Sequence, residues 1–449
     1  MNSHILFEKT PPTKLFFIAA VPGAISMLAS ALYTLIDGIF VGRILGTTAF
    51  AALNLAFPFV VINFSLADLI GAGSAVPIAI NLGKKQEQEA NNIFTCACLM
   101  IVATGTVIGG ILYGAAPLLI GLLGAEGELA ILAVQYMRVY ALFSPITTIV
   151  FAMDNYLRIC GKVRLSMVLN ILMDVLGAIL AFIFLYVLKL GVWASALATC
   201  LGMLVCVIIA LVPFVQGRLQ LRFRKPRFSV SLIRQIIACG SPNFLNNIAG
   251  RITSVLMNFM LLRVGGENAV SVYGILMYTG DIVQPLLYGI CDSLQPAVGY
   301  NWGTGNINRV KAIEKRCFAA SAVISLLSAA VIFLFPEQIA ALFIPNADRE
   351  LMNIAIIALR LFSLTYVTRW FAFSSQSYMT AVEKPLQASI ISISTALIFP
   401  IVLVVALWPL GLTGFWLNFA GTSLLSAILA AGVMLHFRKQ LHRMENGSF

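Results

Sequence analysis

The chain has 449 residues, of which 60% are hydrophobic and 10% are charged, and its formal net charge is +11. A soluble globule needs more polar residues than this to cover its surface, so the composition excludes a soluble protein and indicates a polytopic membrane protein. Spans of about 20 to 25 residues with short connections allow roughly twelve helices in a chain of this length. Strand-like alternation is weak, which disfavours a β-barrel, and we therefore predict an all-α fold.

The apolar segments predict helices over residues 15–41, 50–80, 93–116, 129–151, 165–188 and 192–215, and then over residues 232–262, 270–300, 317–335, 351–373, 386–407 and 412–437. Between the sixth and seventh helices lies the longest polar connection, which carries six basic residues. It divides the chain into an N-lobe, residues 1–215, a basic cytoplasmic linker, residues 216–234, and a C-lobe, residues 235–449. The linker is expected to fix the topology, and binding to anionic membrane lipid is the alternative.

The first predicted helix carries a polar stripe. Ser26, Ser30, Tyr33 and Asp37 are spaced four, three and four residues apart, which places them on one helical face. Ionising a carboxyl at membrane depth costs about 2.5 to 3.5 kcal/mol, so such a group usually faces a bundle interior or a wet cavity. We therefore expect Asp37 to exchange a proton or a cation, and the alternative is a structural hydrogen bond. The Pro22-Gly23 pair is a predicted hinge in the same helix.

The placement of the basic residues predicts the topology. With twelve spans, the two tails and the connections that follow even-numbered spans carry 21 Lys and Arg residues, whereas the opposite connections carry four. By the positive-inside rule, both termini are expected in the cytoplasm. The positive charge thus reports orientation in the cell membrane, and no nucleic-acid partner is expected. The eight cysteines lie in or beside apolar segments without metal-type spacing and are expected to pack.

Matching residues recur between the two halves. A shift of 220 residues superposes Arg43 on Arg263, Gly46 on Gly266 and residues 81–83 on residues 301–303, and a shift of 222 superposes residues 156–162 on residues 378–384. Each repeat has six spans, an even number, so the two copies share one orientation and are related by an axis along the membrane normal. Transporters built in this way bind substrate between the two halves.

Three motifs resemble those of the multidrug and toxic compound extrusion family, in its bacterial branch. They are residues 22–42 with their Asp-Gly-Ile-Phe-Val-Gly end, residues 155–162, Asn-Tyr-Leu-Arg-Ile-Cys-Gly-Lys, and residues 295–303, Gln-Pro-Ala-Val-Gly-Tyr-Asn-Trp-Gly. The resemblance covers nearly the whole chain. It implies a V-shaped pair of six-helix lobes, working as a monomer without a cofactor, that exports amphipathic cationic compounds in exchange for H+ or Na+.

The resemblance also assigns roles in the N-lobe. Asp37 matches the first-helix acid that takes up the coupling cation, either a proton or Na+. Thr199 matches a hydroxyl near that site, and a hydrogen bond to a carbonyl of its own helix is its alternative role. Asn170 and Asp174 resemble a family pair on the fifth helix, but they lie seven residues before the position that ungapped counting gives. Asp174 is therefore expected to face the cavity about 10 Å from the family position. Asn155 is similar to a family residue, and a helix cap is its alternative role.

Two further acids lie inside predicted spans. Asp68 shares a helical face with Ser65 and is either a proton relay or the partner of a basic residue. Asp281 is predicted at mid-membrane depth, like Arg251, and the two are expected to form an ion pair because buried charges need partners. The sharper hypothesis is that a cationic drug or a proton competes for Asp281.

The seventh helix carries the C-lobe counterpart of the first stripe. Its members are Asn243, Asn247, Arg251, Ser254 and Asn258, while Met257 stands at the repeat position of Asp37. The lobes are thus chemically unequal, which favours coupling in the N-lobe and, for the ion, H+ over Na+. We predict that Tyr33, Met257, Arg251, Asp281 and Asn258 line the substrate cleft.

Two other functions are less compatible with the sequence. A flippase for a lipid-linked or other amphipathic metabolite is the alternative within transport, although those relatives usually carry more spans. An enzyme is disfavoured because neither a nucleophile motif nor a metal motif occurs, and the three histidines lie near the chain ends.

Overall fold

The computed structural model describes residues 4–344 and 349–445, with the side chains of residues 35–43, 47 and 443–445 outside the description. Helices make up nearly all of this part of the chain, and no strand occurs in it. The predicted all-α fold is confirmed. Asp37, the central residue of the predicted stripe, lies in a helical backbone, but its side chain is among those outside the described set.

The first half, from residue 4 onward, contains seven α-helices. They are α1 (Pro12–Leu45), α2 (Thr47–Gly83), α3 (Glu87–Leu122), α4 (Gly127–Thr147), α5 (Ile149–Ile159), α6 (Val163–Phe182) and α7 (Trp193–Val215). A short π-helix, Ile5–Lys9, precedes α1, and a second, Ile183–Val187, continues α6. Together α4 and α5 form one span, which corresponds to the fourth predicted helix.

The described part of the second half contains eight α-helices. They are α8 (Val230–Gly303), α9 (Ile307–Leu334), α10 (Pro336–Phe343), α11 (Arg349–Ser363), α12 (Thr365–Ala381), α13 (Pro385–Ile393), α14 (Phe399–Ala406) and α15 (Gly411–Glu445). A π-helix, Ser394–Ile398, joins α13 to α14, and a 3-10 turn, Trp408–Leu410, precedes α15.

Helix α8 contains two spans. Its 74 residues would extend over about 110 Å if straight, several times the thickness of a bilayer. Gly266 has φ 64° and ψ −158°, a conformation outside the helical region, and it divides α8 into a first arm, residues 230–265, and a second arm, residues 267–303. Ten helices of the described chain can cross a membrane, and α11 with α12 adds a span bent by 41°. With α8 taken as two arms, the total is the predicted twelve.

The backbone itself repeats between the lobes. Four pairs of residues with positive φ are related by shifts of 220 or 222, namely Gly46 with Gly266, Lys85 with Gly305, Gly161 with Glu383, and Lys189 with Gly411. Each pair lies at a connection between helices, so the chain turns in the same way at equivalent points of the two lobes. The two lobes of six spans therefore follow one plan.

The helices extend further than the hydrophobic pattern predicts. For example, α3 begins six residues and α9 ten residues before the predicted start, because polar first turns continue the helix beyond the apolar segment. Helix α8 begins at Val230, inside the predicted linker, where the Ser229 hydroxyl accepts a hydrogen bond from the Leu232 N–H at 3.1 Å. Helix α10 was not predicted; Pro336 begins it in a segment that the sequence analysis treated as a connection.

The lobes meet through glycines in one half of the membrane, on the side where α1 begins and α15 ends, which we call the terminal side. A Cβ on Gly73 of α2 would lie 2.1 Å from the Ile236 carbonyl oxygen of α8. One on Gly23 of α1 would lie 2.4 Å from the Gly289 oxygen, and one on Gly83 would lie 2.1 Å from the Tyr300 oxygen. Backbone therefore packs directly on backbone between the lobes, as small residues allow in membrane proteins.

The N-terminal π-helix crosses from the N-lobe to the C-lobe on the terminal side. Its Phe7 side chain is buried and lies 5.7 Å from the Tyr300 ring centroid. The Phe7 carbonyl oxygen accepts hydrogen bonds from Asn301 Nδ2 at 3.0 Å and from Arg309 Nε at 2.7 Å. This segment therefore adds a second contact between the lobes on the terminal side.

Candidate functional site

The polar stripe of α1 faces α6 and α7 inside the N-lobe. Ser30 Oγ donates to Asp174 Oδ2 at 2.7 Å, and the Tyr33 and Thr199 hydroxyls lie 2.9 Å apart. One turn toward the terminal side, Asn170 donates to Ser26 Oγ at 2.8 Å. Each described member of the predicted stripe thus contacts a residue that was itself predicted on α6 or α7. The sequence did not predict which of these residues pair with each other, since sequence alone gives no register between helices.

Two glycines let the stripe approach. A Cβ on Gly177 of α6 would lie 2.7 Å from the Tyr33 hydroxyl oxygen, closer than carbon and oxygen atoms pack. A Cβ on Gly202 of α7 would lie 3.0 Å from the Met173 carbonyl oxygen of α6. A larger residue at Gly177 would displace the Tyr33 side chain, and one at Gly202 would press against the backbone of α6.

The relation between Asp174 and Asp37 follows from helix geometry. Asp174 is buried, and its partner Ser30 lies seven residues before Asp37 on α1. Seven helical residues correspond to about 10 Å along the axis. Membership of Asp37 and Asp174 in one cation site stays a prediction, because the Asp37 side chain is outside the described set.

An ion pair that the sequence analysis missed extends the network. Asp154 and Arg158 lie four residues apart on α5, and Arg158 Nη2 lies 2.7 Å from Asp154 Oδ2 in an ion pair rather than a well-directed hydrogen bond. Asn170 Nδ2 donates to Asp154 Oδ1 at 2.9 Å, and Ser166 Oγ donates to the same oxygen. Arg158 is only 2% exposed, although it was counted among the basic residues of a loop. The sequence did contain a signal for this ion pair, because an acid and an arginine lie four residues apart at the end of an apolar span.

Arg158 also joins the lobes. Its Nη1 donates to the Ser293 hydroxyl of the second arm of α8 at 2.8 Å. Ser293 is buried and lies against Gly23 of α1. A crevice of about 10 Å³ lies beside Asp154 and Asn170, near the lower limit for one water molecule. Hydrogen bonds and one ion pair therefore run without interruption from α1 to the C-lobe.

Two further carboxyls lie near this crossing. Asp68 of α2 and Asp292 of α8 are within electrostatic range of each other, and Asp68 is also within range of Asp154. Asp292 accepts hydrogen bonds from Gln295 Nε2 at 2.8 Å and from Ser377 Oγ at 3.1 Å. Asp68 forms no hydrogen bond or ion pair with any residue that the structure describes, so the predicted basic partner is not found. One buried arginine thus lies among three acids from both lobes.

The predicted ion pair of the C-lobe is not formed. Arg251 and Asp281 are both exposed, and within the described chain no salt bridge joins them. Each lies fifteen residues from Gly266, the break in α8, so the two charges lie at a similar depth. Exposed charges at membrane depth are costly against lipid and are usually found on water-filled cavities. Arg251 nevertheless remains within electrostatic range of Asp281.

The other predicted cleft and coupling residues differ in their placement. Met257 is 2% exposed and packs in the apolar core of the C-lobe with Leu261 and Tyr273, so it does not lie on a cleft wall. Asn258 Nδ2 donates to the Ser254 carbonyl oxygen of its own helix at 3.1 Å. Asn155 likewise donates to a carbonyl of its own helix, that of Phe151, at 3.2 Å, instead of capping a helix end.

A family model described as MatE matches residues 22–183 and 242–405, which correspond to the two lobes. The multidrug export protein MepA of Staphylococcus aureus is 24% identical over 414 residues, covering 91% of this chain and 90% of the relative. MepA of Staphylococcus saprophyticus is also 24% identical, over 421 residues, with the same coverage of the two chains.

Solved structures share the fold. The outward-facing conformation of a multidrug resistance MATE family transporter of the MOP superfamily has a TM-score of 0.91 and 24% identity, with 99% of both chains covered. A MOP superfamily transporter from Pyrococcus furiosus also has a TM-score of 0.91 and 24% identity, covering 99% of this chain and 98% of its own; its binding pocket is described as reversed in polarity. At this identity the likeness establishes the fold.

Proposed function

Because this chain belongs to the multidrug and toxic compound extrusion (MatE) family, we propose that it is a secondary active antiporter that exports amphipathic, cationic compounds in exchange for H+ by alternating access. The staphylococcal relatives are named multidrug export proteins, which supports export of small molecules. The proposal rests on a network of side-chain contacts. It runs from Ser26 through Asn170, Asp154 and Arg158 to Ser293. It connects the acid-bearing interior of the N-lobe to the C-lobe.

The coupling step begins at the acids that face α1. Asp37 takes up the proton, with Asp174 as a second acceptor opposite Ser30. A hydrogen bond to an ionised carboxylate is roughly twice as strong as one between neutral groups, so protonation of Asp174 weakens its bond to Ser30. Release of this bond loosens α1 from α6. Na+ at Asp37 is the alternative coupling ion.

Helix α1 carries the effect to the contact between the lobes. Gly23 lies three residues before Ser26 on α1 and packs against Ser293 and Gly289 of the C-lobe. A shift of α1, hinged at Pro22, therefore disturbs the contact that the hydrogen bond from Arg158 to Ser293 also stabilises. Protonation then changes the relative free energies of the two conformations, which is the requirement for coupling.

Substrate occupies the cleft between the lobes. When the lobes are closed on the terminal side, the cleft opens toward the opposite side of the membrane. Tyr33, Arg251, Asp281 and Asn258 line it, and Asp281 attracts the cationic substrate because its carboxyl is exposed and without a salt bridge to a described residue. Aromatic faces and methionine side chains along such a cleft accept cations of varied shape.

The terminal side is cytoplasmic in our proposal. The basic linker contacts the first turns of α3, and the N-terminal π-helix contacts Arg309 at the start of α9, so both of these segments lie on the terminal side. The excess of basic residues there supports a cytoplasmic location for both termini in the cell membrane. The protein functions as a monomer, since each lobe supplies part of the path.

Transport by purified protein in liposomes tests the proposal. Efflux of a fluorescent cationic dye is measured under separately imposed pH and sodium gradients for the wild type, Asp37→Asn, Asp174→Asn and a matched control, Glu128→Gln, whose acid is exposed at the start of α4. We expect a pH gradient alone to drive efflux in the wild type and the control. Asp37→Asn should reduce efflux to the level of protein-free liposomes while dye binding persists.

Three results would change this assignment. Driving by sodium alone would make the bound ion Na+. Normal transport by Asp37→Asn under both gradients would move the coupling site to Asp174, Asp68 or Asp281. If neither gradient drives dye efflux but a lipid-linked probe crosses the membrane, the protein is a flippase, and the proposal of drug export is wrong.

A further inference from the structure

A cavity of about 560 Å³ opens on the terminal side of the C-lobe. It lies between the start of α9, the end of α12 and the end of α15, and we call it the C-lobe groove. Among the residues that line it are Lys315, Phe318, Tyr378, Met434, Arg438 and Leu441. None of these residues belongs to the polar network of the N-lobe, so the groove is separate from the proposed coupling site.

The linker occupies part of the equivalent groove of the N-lobe, and a cavity of about 520 Å³ remains beside it. There the linker passes between the start of α3, the end of α5 and the end of α7, the repeat counterparts of the three helix ends around the C-lobe groove. Leu221 of the linker is fully buried, and the Phe223 ring lies 4.8 Å from the Phe94 ring. Phe94 also packs against Tyr156 and Phe214. A peptide segment thus completes the apolar core of the N-lobe at this point.

Three polar side chains of α3 hold the linker backbone. Asn91 Oδ1 accepts from the Arg222 N–H at 2.6 Å, and Asn92 Oδ1 accepts from the Arg227 N–H at 2.8 Å. Thr95 Oγ1 accepts from the N–H of Arg224 at 3.1 Å. These three side-chain oxygens thus accept hydrogen bonds from the backbone N–H groups of the extended linker.

The C-lobe lacks these acceptors. At a shift of 220, Lys311, Ala312 and Lys315 replace Asn91, Asn92 and Thr95. Helix α15 also continues to Glu445, whereas α7 ends at Val215 and the chain turns back into its groove. The described chain consequently leaves the C-lobe groove open, with lysines at two of the three positions where the N-lobe has peptide-binding oxygens. An anion suits these cations better than a peptide.

The groove combines this cationic rim with apolar walls. Lys315 is exposed and forms no ion pair with a described residue, and Arg438 remains 65% exposed although its Nη2 lies 3.3 Å from Glu314 Oε1. Phe318, Met434 and Leu441 supply the apolar surface. Lys315 lies two residues before the predicted apolar span of α9, the depth at which lipid headgroups meet a membrane protein.

We propose that the C-lobe groove binds a phospholipid with a net negative headgroup. The phosphate lies between Lys315 and Arg438, and an acyl chain follows Phe318, Met434 and Leu441. Basic pockets between helices at the membrane surface bind anionic headgroups in this way. The proposal does not depend on the coupling ion or on the transported compound, because it concerns the groove alone.

Lipid binding by the full-length protein tests it. Delipidated protein in mild detergent is titrated with phosphatidylglycerol or phosphatidylcholine, and bound lipid is measured by native mass spectrometry. The wild type should bind phosphatidylglycerol more tightly. Lys315→Ala, which leaves the pair of Arg438 with Glu314 intact, should weaken this binding about fivefold, the effect of one basic residue at an anionic surface. Lys439→Ala, which removes an exposed cation from the adjacent position of α15, should have no effect.

The same titrations can overturn the proposal. Equal affinity for the two lipids, or an equal loss in Lys315→Ala and Lys439→Ala, would mean that no specific site exists. Competition by inorganic phosphate as strong as that by phosphatidylglycerol would mean that the groove recognises phosphate without lipid. If lipid binds only to a variant that lacks residues 446–449, the C-terminal tail is the occupant of the groove, and the lipid proposal is wrong.

Discussion

The guanidinium of Arg158 lies 2.8 Å from the hydroxyl of Ser293, and this hydrogen bond joins the N-lobe to the C-lobe. Arg158 is held by Asp154, so the donor is charged, directed and buried. A lobe movement that opened the terminal side would have to break the bond.

Replacement of Ser293 by alanine should favour the conformation open on the terminal side. Hydrogen bonds to charged groups contribute about 1.5 to 3 kcal/mol, so the ratio of closed to open molecules should fall by roughly tenfold or more. Distances between spin labels on the two lobes measure this ratio. Ser328→Ala is the control, because Ser328 bonds only the Ile324 carbonyl of its own helix. An unchanged distance distribution in Ser293→Ala would show that the bond does not stabilise closure.

Gly73→Ala should separate the lobes on the terminal side. Its Cβ would lie 2.1 Å from the Ile236 oxygen and 2.8 Å from the Gly240 nitrogen, and backbone atoms cannot rotate away. We expect the closed conformation to be lost, so that thiol labels placed on the terminal side become accessible. Gly110→Ala adds the same methyl group where no other atom lies within 4 Å, and it should behave as the wild type.

Gly177→Ala should act through Tyr33. The added methyl group would lie 2.7 Å from the Tyr33 hydroxyl and displace it from Thr199. Gly177→Ala and Tyr33→Phe are therefore expected to reduce coupled transport to a similar degree. The double variant should be no worse than either single one, because both changes remove the same contact. Additive losses would indicate that the two residues act separately.

Lys85→Gly should stabilise the protein. Lys85 has φ 61°, which costs roughly 1 to 2 kcal/mol for a residue with a side chain, and its repeat counterpart Gly305 avoids that cost. Thermal unfolding in detergent should show a higher midpoint for Lys85→Gly. Lys84→Gly is the matched control, since Lys84 has φ −71° and gains nothing from glycine. A lower midpoint for Lys85→Gly than for Lys84→Gly would contradict this reasoning.

Cys160 should be unreactive in the folded protein. Its side chain is buried, and burial raises the pKa of its thiol to about 12. The thiolate is the reactive form and is scarce below that pKa, so alkylation of Cys160 should stay slow between about pH 7 and 9. Maleimide labelling followed by mass spectrometry measures this, with detergent-denatured protein as the positive control. Rapid labelling of Cys160 at neutral pH would show that the site opens to solvent.

Much of the fold could be predicted because its determinants are local in the sequence. The lengths of the apolar segments predicted the membrane spans. The shifts of 220 and 222 that superpose sequence motifs also relate the backbone conformations of Gly46 and Gly266, and of Gly161 and Glu383. The family resemblance read from the three motifs is confirmed by the match to the MatE model. Helix α10 was missed because its eight residues are too few to give a periodic signal.

The site could be predicted only in part. The stripe on α1 was found because it depends on spacing within one helix, yet the pairing of Ser30 with Asp174 depends on the register between helices. Arg158 was taken for a loop cation because a single charge after an apolar span usually marks topology. One of its buried partners is Ser293, which is 135 residues away in the sequence and could not be paired with it by spacing. The expected pair of Arg251 and Asp281 rested on depth alone, and equal depth does not give contact.

The packing of the linker decides where the polypeptide could be divided into two co-expressed fragments. Leu221 and Phe223 lie in the groove of the N-lobe, whereas Ser229 caps α8 of the C-lobe. A break after Val215 would leave the first fragment with an uncovered aromatic surface around Phe94. A break between Phe228 and Ser229 gives each fragment the residues that complete its own half, so reassembly in the membrane would need only the contacts between the lobes.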